Sequence, residues 1–452
     1  MAIIPQPDLF SWDQVDASSE MDRLRWVLDA MPDEPLMCAL EAARKGRRND
    51  YPIRPVWNSV IAGIVFEHKS VESLRRELAR NGELRQVCGF DVFRGDAAVP
   101  PAWVYTRFLN KLFAHQTHID AMFDELVETL RTLLPDFGKR MAIDSKAVDS
   151  HGRPTKSEDE DGRRDTDADW GTKTYRGVRQ DGTVWEKIKR WFGYKLHLIV
   201  DADYELPVAY EVTKASASDC PALVPMVEQL DQDHPGLLDV SDFFAGDKGY
   251  DSKDNNRELW DAYHIKPIID IRNTWKDEPH LPRQLYPERV DTIFYTERGD
   301  VVCRHRDDGE QEQDNYTPMA FEGFEPDREC LKYRCPAAAK GIACTQRDLC
   351  NGGCHTEHGR IVRVPLATDR RIFTPQARDS ITWDREYKHR SAVERVNSRI
   401  DLSFGFEHHF IRGMKKMRLR LGLALVVMLA MAVGRIRADQ REHLRSLVKP
   451  AA

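Results

Sequence analysis

The sequence lacks an apolar run long enough to cross a membrane. Its longest run, Leu421 to Val433, is shorter than the roughly 20 residues that a bilayer span needs, and Arg420 and Arg435 bracket it. Residues 1–10 also lack the basic and apolar regions of a secretion signal. We therefore expect a buried core helix at 421–433, no membrane association and a cytoplasmic location.

An overall excess of basic residues is also missing. The formal net charge is -7, which taken alone argues against a partner as acidic as DNA. The excess of acidic residues is concentrated in one segment, because residues 291–330 hold 12 Asp or Glu against 4 Lys or Arg. Residues 412–449 hold 10 Lys or Arg against 2 acids, and residues 44–54 hold 5 Lys or Arg. Each basic run alone could be a solvated helix face, but a nucleic-acid partner is not excluded.

A chain of 452 residues is too long for one compact core, so several units are expected. Residues 1–137 show helical spacing and are expected to form a helical domain. Within them, Pro101 to Leu112 has one apolar and one basic face, which fits a helix-turn-helix or plain helical packing. Residues 138–271 and 383–438 form the two parts of a core, residues 272–382 an acidic, Cys-rich insertion, and residues 439–452 a basic tail.

The sequence pattern of the core segments predicts mixed α/β structure. The pattern predicts strands and helices in the order strand 141–148, strand 193–202, strand 206–212, helix 219–230, a strand ending at Gly246, helix 252–263 and strand 266–271. The first three strands suggest an antiparallel meander. After the insertion, Trp383 to Phe404 and Met414 to Ala438 are predicted helices.

Three carboxylates stand at the ends or middles of these core elements. Asp144 alternates with Ile143 in the first strand, Asp247 follows a strand among glycines, and Glu394 lies in the helix beyond the insertion. An acid in a core strand is costly unless something pairs with it. Hard oxygen donors from separated elements are the ligands that Mg²⁺ prefers.

The helix around Glu394 carries the most specific pattern. Tyr387, Arg390 and Glu394 are spaced by three and four residues and would share one helix face, with Arg390 able to reach a phosphate. Val393, Val396 and Ile400 would form an apolar stripe beside it. Taken alone, the segment favours the alternative of an ordinary amphipathic helix with an Arg–Glu pair.

These residues resemble the DDE transposases of bacterial insertion sequences, in the branch with a Tyr-Arg-Glu-Lys signature. Tyr387, Arg390 and Glu394 match its first three positions, whereas Asp401 stands where that branch has Lys. Segments 168–171, 191–197 and 245–250 are similar to the family as well. The resemblance covers most of the chain and implies an RNase H-like fold.

It also implies a mechanism and partners. Asp144, Asp247 and Glu394 would hold two Mg²⁺ ions, for which Mn²⁺ can substitute, during cleavage and strand transfer at transposon ends. The partner would be double-stranded DNA, both inverted repeats and target, bound by a homodimer. The alternatives are a catalytically silent DNA-binding regulator and a related nuclease that cuts without joining.

Further residues are candidates for contacts with DNA or phosphate. Besides Tyr387 and Arg390, the family-like segments supply Lys195, Trp191 and Lys248. The mixture of basic residues with Trp185 and Trp191 suits the holding of distorted bases near a cut end, or else aromatic packing in a twisted hairpin.

The cysteines are concentrated in the insertion. Cys330, Cys335, Cys344, Cys350 and Cys354 offer more donors than a zinc ion takes, but no two of them have the two-residue spacer of the commonest zinc modules. A structural Zn²⁺ and reduced, unligated thiols both remain open. The metal's role would be to fold an insertion that buries little core.

Overall fold

The computed structural model describes residues 19–44, 50–152, 165–179, 181, 183–275, 281–306, 314–341, 344, 350 and 359–444. The helices of these residues are α1 Ser19–Ala30, α2 Glu34–Ala42, α3 Ile53–Val65, α4 Val71–Arg80, α5 Gly82–Cys88, α6 Ala102–Leu112, α7 Gln116–Leu133, α8 Leu223–Asp233, α9 Lys253–Asp261, α10 Pro336–Lys340, α11 Ile381–Tyr387, α12 Ser391–Leu402 and α13 Met414–Arg437. The strands are β1 Arg140–Asp149, β2 Asp169–Val178, β3 Val184–Asp201, β4 Leu206–Lys214, β5 Phe243–Gly246, β6 Lys266–Ile269, β7 Arg283–Gln284, β8 Ile293–Tyr295, β9 Val301–Arg306, β10 Asp314–Pro318, β11 Ala320–Glu325, β12 Cys330–Arg334 and β13 Ile361–Pro365. The expected mixed α/β class is confirmed.

The chain divides into two compact units that are discontinuous in sequence. The first comprises Met1–Phe137, Ser145–Ala217 and Val393–Ala452, and the second comprises Gly138–Asp144 and Ser218–Ala392. Two of the four divisions fall inside an element, one in β1 after Asp144 and one in α12 after Ala392.

In the first unit, α13 is the central helix and packs against α1, α7 and β4. It is long and apolar enough to span a bilayer, yet 94% of its most apolar window is buried inside the protein. The prediction of a buried core helix at 421–433 is therefore confirmed. Burial of an all-round apolar helix is the expected outcome, because every one of its faces gains by leaving water.

Antiparallel strands complete the first unit. β3 pairs along its first half with β2, from Asp169 opposite Gly193 to Val178 opposite Val184. Its second half pairs with β4, from Tyr194 opposite Lys214 to Asp201 opposite Leu206. The strand predicted at 193–202 thus begins nine residues earlier, at Val184, and β2 is a strand that the sequence pattern did not predict.

The second unit contains parallel strands and two small antiparallel sheets. β5 pairs in parallel with β1 and with β6, as expected for strands joined by helices. β10, β9, β8 and β7 form one antiparallel sheet in that order, and β11, β12 and β13 form the other. A shared apolar cluster, which includes Val301, Tyr333 and Phe373, lies among these sheets. The expectation that residues 272–382 bury little core is therefore wrong.

One long helix was predicted from Trp383 to Phe404, and this prediction is wrong in its middle. A 3₁₀ turn, Lys388–Arg390, separates α11 from α12, and α12 ends at Leu402. A 3₁₀ turn has about 3.0 residues per turn instead of 3.6, so the angular relation assumed between Tyr387 and Glu394 does not hold across it.

Candidate active site

Two of the predicted catalytic acids follow matched positions of adjacent parallel strands. Ile143 of β1 is the register partner of Gly246 of β5, and Asp144 and Asp247 are the next residues of the two strands. Asp247 keeps an extended backbone, with φ -78° and ψ 175°. Neighbouring strands lie about 4.8 Å apart, and residues at matched positions face the same side of the sheet. The register therefore makes these two half-buried carboxylates neighbours within the second unit.

The Asp247 carboxylate is fixed by the turn that follows it. Its Oδ1 accepts a hydrogen bond from the Gly249 N–H at 2.6 Å. A Cβ at position 249 would also lie 2.6 Å from that oxygen, so only glycine allows this approach. The backbone thereby orients the carboxylate before any ligand binds, which explains why glycine follows this acid so closely.

Basic residues surround the same turn. The exposed Lys248 has its Nζ 3.3 Å from Asp270 Oδ2. Arg272 donates from Nε to the Lys248 carbonyl at 2.5 Å and from Nη2 to the Gly249 carbonyl. Arg272 was not among the predicted site residues. Its position just beyond β6, at the same sheet edge as Asp247, is the signal that could have identified it.

The helix α11 places an aromatic stack and a cation beside this edge. Tyr387 stacks on Trp383 with ring centroids 4.7 Å apart and an interplanar angle of 12°. The Arg390 guanidinium lies 5.7 Å from the Tyr387 ring centroid. Burial raises the pKa of the Tyr387 hydroxyl, Arg390 opposes the shift, and the carboxylates of Asp270 and Asp247 add to it. Tyr387 thus lies within electrostatic reach of Asp247, and Arg390 lies beside Tyr387.

An ion pair with a buried carboxylate anchors α11 to β1. Arg140 Nε lies 3.1 Å from Glu386 Oε2, and the Glu386 side chain is 2% exposed. Arg140 stands at the start of β1 and Glu386 is the residue before Tyr387. The pair therefore fixes the helix that carries Tyr387 against the strand that leads to Asp144.

The third predicted acid, Glu394, lies in the part of α12 that belongs to the first unit. Its side chain is exposed, whereas Val393, Val396 and Ile400 are fully buried, as the apolar stripe predicted. The structure thus groups Asp144 with Asp247, Tyr387 and Arg390 in the second unit. The joint role of Glu394 with these residues stays a prediction.

Asp401, which replaces the lysine of the family signature, pairs with a cation from β1. Its Oδ2 binds Lys146 Nζ, and the side chains of Lys146 and Asp401 are 12% and 33% exposed. Lys146 lies two residues after Asp144, so both side chains emerge on the same face of β1. The lysine of this pair, Lys146, therefore comes from β1, and its counter-ion, Asp401, comes from α12.

Two arginines of α12 share one buried carboxylate. Arg395 Nε lies 2.7 Å from Glu205 Oε1, and Arg399 Nη2 lies 2.9 Å from Glu205 Oε2. Glu205 is 3% exposed. These arginines seat the helix on the turn between β3 and β4.

Lys195 and Trp191 lie on β3 in the first unit. Lys195 Nζ donates to the Ala217 carbonyl at 2.6 Å, and Trp191 is 6% exposed with its indole N–H bound to the Tyr194 carbonyl at 3.1 Å. The structure shows Trp191 packed within the hairpin, which is one of the two interpretations that the sequence left open. Contact of Lys195 or Trp191 with DNA stays a prediction.

Four cysteines of the second unit line one small cavity: Cys303, Cys335, Cys344 and Cys350. Cys330 lies apart from them, with its thiol donating to the Arg328 carbonyl at 3.0 Å, and Cys354 lies outside the described residues. Cys303 was not among the predicted zinc ligands, because it lies 27 positions before Cys330 in the sequence. Its place on β9 brings it to the cavity in the fold. Within the described part of the chain, no three His, Cys, Asp or Glu side chains form a group that could hold a metal ion.

Residues 137–430, well over half of the chain, match the sequence profile of the family described as Transposase DDE domain. The chain therefore belongs to this family of transposases, and the expectation of a DDE transposase is confirmed. Membership indicates an enzyme that cleaves and transfers DNA strands, and such enzymes generally use divalent metal ions.

Among solved structures, the chain matches the piggyBac transposase in the cryo-EM structure of its synaptic complex with hairpin DNA. The TM-score is 0.38 and the identity 10%, over 95% of this chain and 79% of that chain. A comparison with curated proteins finds no match.

Proposed function

We propose that this transposase belongs to a bacterial insertion sequence of the Tyr-Arg-Glu-Lys branch and has an RNase H-like catalytic core. It would cleave DNA at the ends of its element and join those ends to target DNA, with Asp144, Asp247 and Glu394 as catalytic acids. The observation that carries the proposal is the register of β1 and β5, which makes Asp144 and Asp247 neighbours.

The donor set of this site fits magnesium. Asp144 and Asp247 offer hard carboxylate oxygens from adjacent strands, and Glu394 would add a third carboxylate. Two Mg²⁺ ions held there, or Mn²⁺ in their place, would activate the attacking water or 3′-hydroxyl and stabilise the leaving oxygen. The Gly249 N–H holds Asp247 in one orientation, which lowers the cost of organising the site.

Cations near Asp247 are proposed to bind the DNA backbone. Lys248 is exposed, and Arg390 lies over the Tyr387 ring at the same sheet edge. Their positive charge would offset the repulsion between phosphate and the two carboxylates. Lys195 and Trp191 would contribute further contacts from the first unit.

We propose that the protein acts as a homodimer that bridges two inverted repeats of double-stranded DNA, in the cytoplasm at the nucleoid and without membrane association. Burial of α13 supports the last point, since its apolar surface is already covered by protein.

The test is a cleavage and strand-transfer assay with Mg²⁺ and DNA that carries the inverted repeats flanking the coding sequence. We expect cut and joined products from the wild type and their loss in Asp144→Asn and in Asp247→Asn. The matched control is Asp239→Asn, the same exchange at an exposed aspartate of the second unit, which should keep full activity. Cleavage that survives Asp144→Asn contradicts the site assignment, and cutting without a joined product indicates a nuclease.

A further inference from the structure

The hairpin of β2 and β3 extends as a two-stranded ribbon. We call its outer part, residues 171–178 and 184–191, the basic ribbon. Val184 to Arg190 are seven consecutive exposed residues, including Val184 at 74% and Ile188 at 50% exposure. A strand that packs on a core buries every second residue, so this run packs neither face on a core. An isolated two-stranded hairpin is only marginally stable, which indicates that the ribbon serves another purpose than stability.

One face of the basic ribbon carries a row of lysines. The register places Lys173 directly opposite Lys189, and Lys187 is the next residue of β3 on the same face. Three lysines thus share one face of an exposed ribbon. Such a concentration of positive charge favours binding of an anionic partner.

A tryptophan lies flat at each end of this lysine row. Trp191 covers Gly171, and Trp185 covers Gly177. A Cβ on Gly171 would lie 2.3 Å from the Trp191 ring, and one on Gly177 would lie 2.6 Å from the Trp185 ring. Glycine is thus required at both positions, and it keeps the two rings low against the strands so that the lysines stand above them.

The net charge of the ribbon also favours an anionic partner. Residues 171–190 hold 6 Lys or Arg against 2 acids. The acids are Asp181, at the turn, and Glu186, which lies on the opposite face from the lysine row. The sequence positions on the lysine face therefore hold only lysine, aromatic residues and glycine.

We propose that the basic ribbon enters a groove of duplex DNA, with Lys173, Lys187 and Lys189 on the phosphates. The major groove, about 12 Å wide, admits a two-stranded β-ribbon. Flat tryptophans at both ends would limit the thickness of the inserted face. The inference rests on the proposed function only in that the partner is DNA, and it adds a binding surface distinct from the catalytic acids.

The experiment measures the affinity of the full-length protein for duplex DNA of its inverted repeat, without divalent metal, as a function of salt concentration. Each phosphate contact adds about 0.9 to the slope of log K against log salt. The variant Lys187→Gln with Lys189→Gln should therefore lower the slope by about 1.8 and weaken binding at least roughly tenfold at 0.1 M salt. Lys187→Arg with Lys189→Arg should restore the wild-type slope.

The matched control is Lys253→Gln with Lys340→Gln, which removes the same charge from two exposed lysines of the second unit and should leave the slope unchanged. A ribbon variant that keeps the wild-type slope overturns the inference, while the wild type can still cleave DNA in the presence of Mg²⁺. A ribbon variant that keeps the slope but loses its dimeric mass identifies a subunit interface and also overturns it. Absence of cleavage and transfer by the wild type, by contrast, would count against the proposed function itself.

Discussion

The ion pair between Lys146 and Asp401 offers the sharpest test of how α12 is held. Asp401 stands seven residues after Glu394, about two helical turns, so both side chains emerge on the same side of the helix. Lys146 emerges from β1 beside the strand position of Asp144. We predict that this pair fixes the rotation and register of α12, and that exchanging Asp401 for asparagine weakens the fold and slows catalysis.

The size of the effect follows from the burial of the two side chains. Exposed pairs contribute about 0 to 1 kcal/mol, whereas loss of one partner of a buried pair costs about 3 to 5 kcal/mol. Lys146 is 12% exposed and Asp401 is 33% exposed, which is between these limits. We expect Asp401→Asn to cost about 2 kcal/mol, because it leaves a mostly buried ammonium without its counter-ion. Asp401→Lys, which installs the residue of the family signature, should cost more because it places two cations together.

The assay is a double-mutant cycle of Lys146→Met and Asp401→Asn, with the free energy of unfolding obtained from urea titration. We expect a coupling energy of about 1 to 2 kcal/mol. A parallel cycle on the exposed pair Arg257–Asp254, whose side chains are 52% and 79% exposed, should give less than about 0.5 kcal/mol. A coupling as small for Lys146–Asp401 as for this control would refute the reasoning.

Three further predictions concern stability and metal content. Burial by itself raises the pKa of Asp165, but hydrogen bonds from Ser150, Gly413, Tyr194 and Ala168 outweigh it and lower the pKa overall. Its contribution is therefore present above the unfolded pKa of about 3.9 and lost as pH falls through the folded value, so in thermal unfolding Asp165→Asn should destabilise at pH 7 and progressively less as the pH falls below about 3.9. Glu205→Gln should cost about 2 to 4 kcal/mol in urea unfolding, because Arg395 and Arg399 lose their shared carboxylate; an unchanged value would show that both arginines find solvent instead. If the cysteine cavity takes zinc, purified protein contains about one equivalent by elemental analysis, and Cys303→Ser lowers it; metal-free wild type would favour unligated thiols.

The parts of the fold that the sequence predicted are those with a local run or stripe of apolar residues. The predicted strands 141–148 and 206–212 correspond to β1 and β4, and the predicted helix 252–263 corresponds to α9. Residues 141–143 of β1 and residues 206–208 of β4 are buried in succession, so a short apolar run marks each strand. The same reasoning located Asp144 within the first strand and Asp247 just after a later one, and the observed register made them neighbours.

The missed elements lack that signal for identifiable reasons. Residues 172–174 of β2 and residues 184–190 of β3 are exposed on both faces, so these segments lack the alternation of apolar and polar residues that marks a half-buried strand. The break at Lys388–Arg390 tightens a single turn, which leaves the spacing of apolar residues almost unchanged. The Lys146–Asp401 pair joins residues 255 positions apart, and no local pattern reports such a contact.

Net charge is a further case in which local sequence was a poor guide to the folded surface. Residues 291–330 carry a large acidic excess, which by itself indicates a strongly negative patch. Asp291, however, is 1% exposed and forms a two-bonded pair with Arg360, with both distances 2.7 Å. Glu325 likewise pairs with Arg363, at 2.8 and 3.1 Å.

Arg360 and Arg363 lie outside the acidic window, so a count over the window includes the carboxylates and omits the cations that pair with them. The same holds for Glu322, which binds Lys332 at 3.0 Å and Arg334 at 3.1 Å. The antiparallel pairing of β11, β12 and β13 brings these opposite charges together across strands. The acidity of the window is therefore partly an internal charge balance of the sheet, and the overall net charge of -7 is a weaker objection to a DNA partner than the sequence alone suggested.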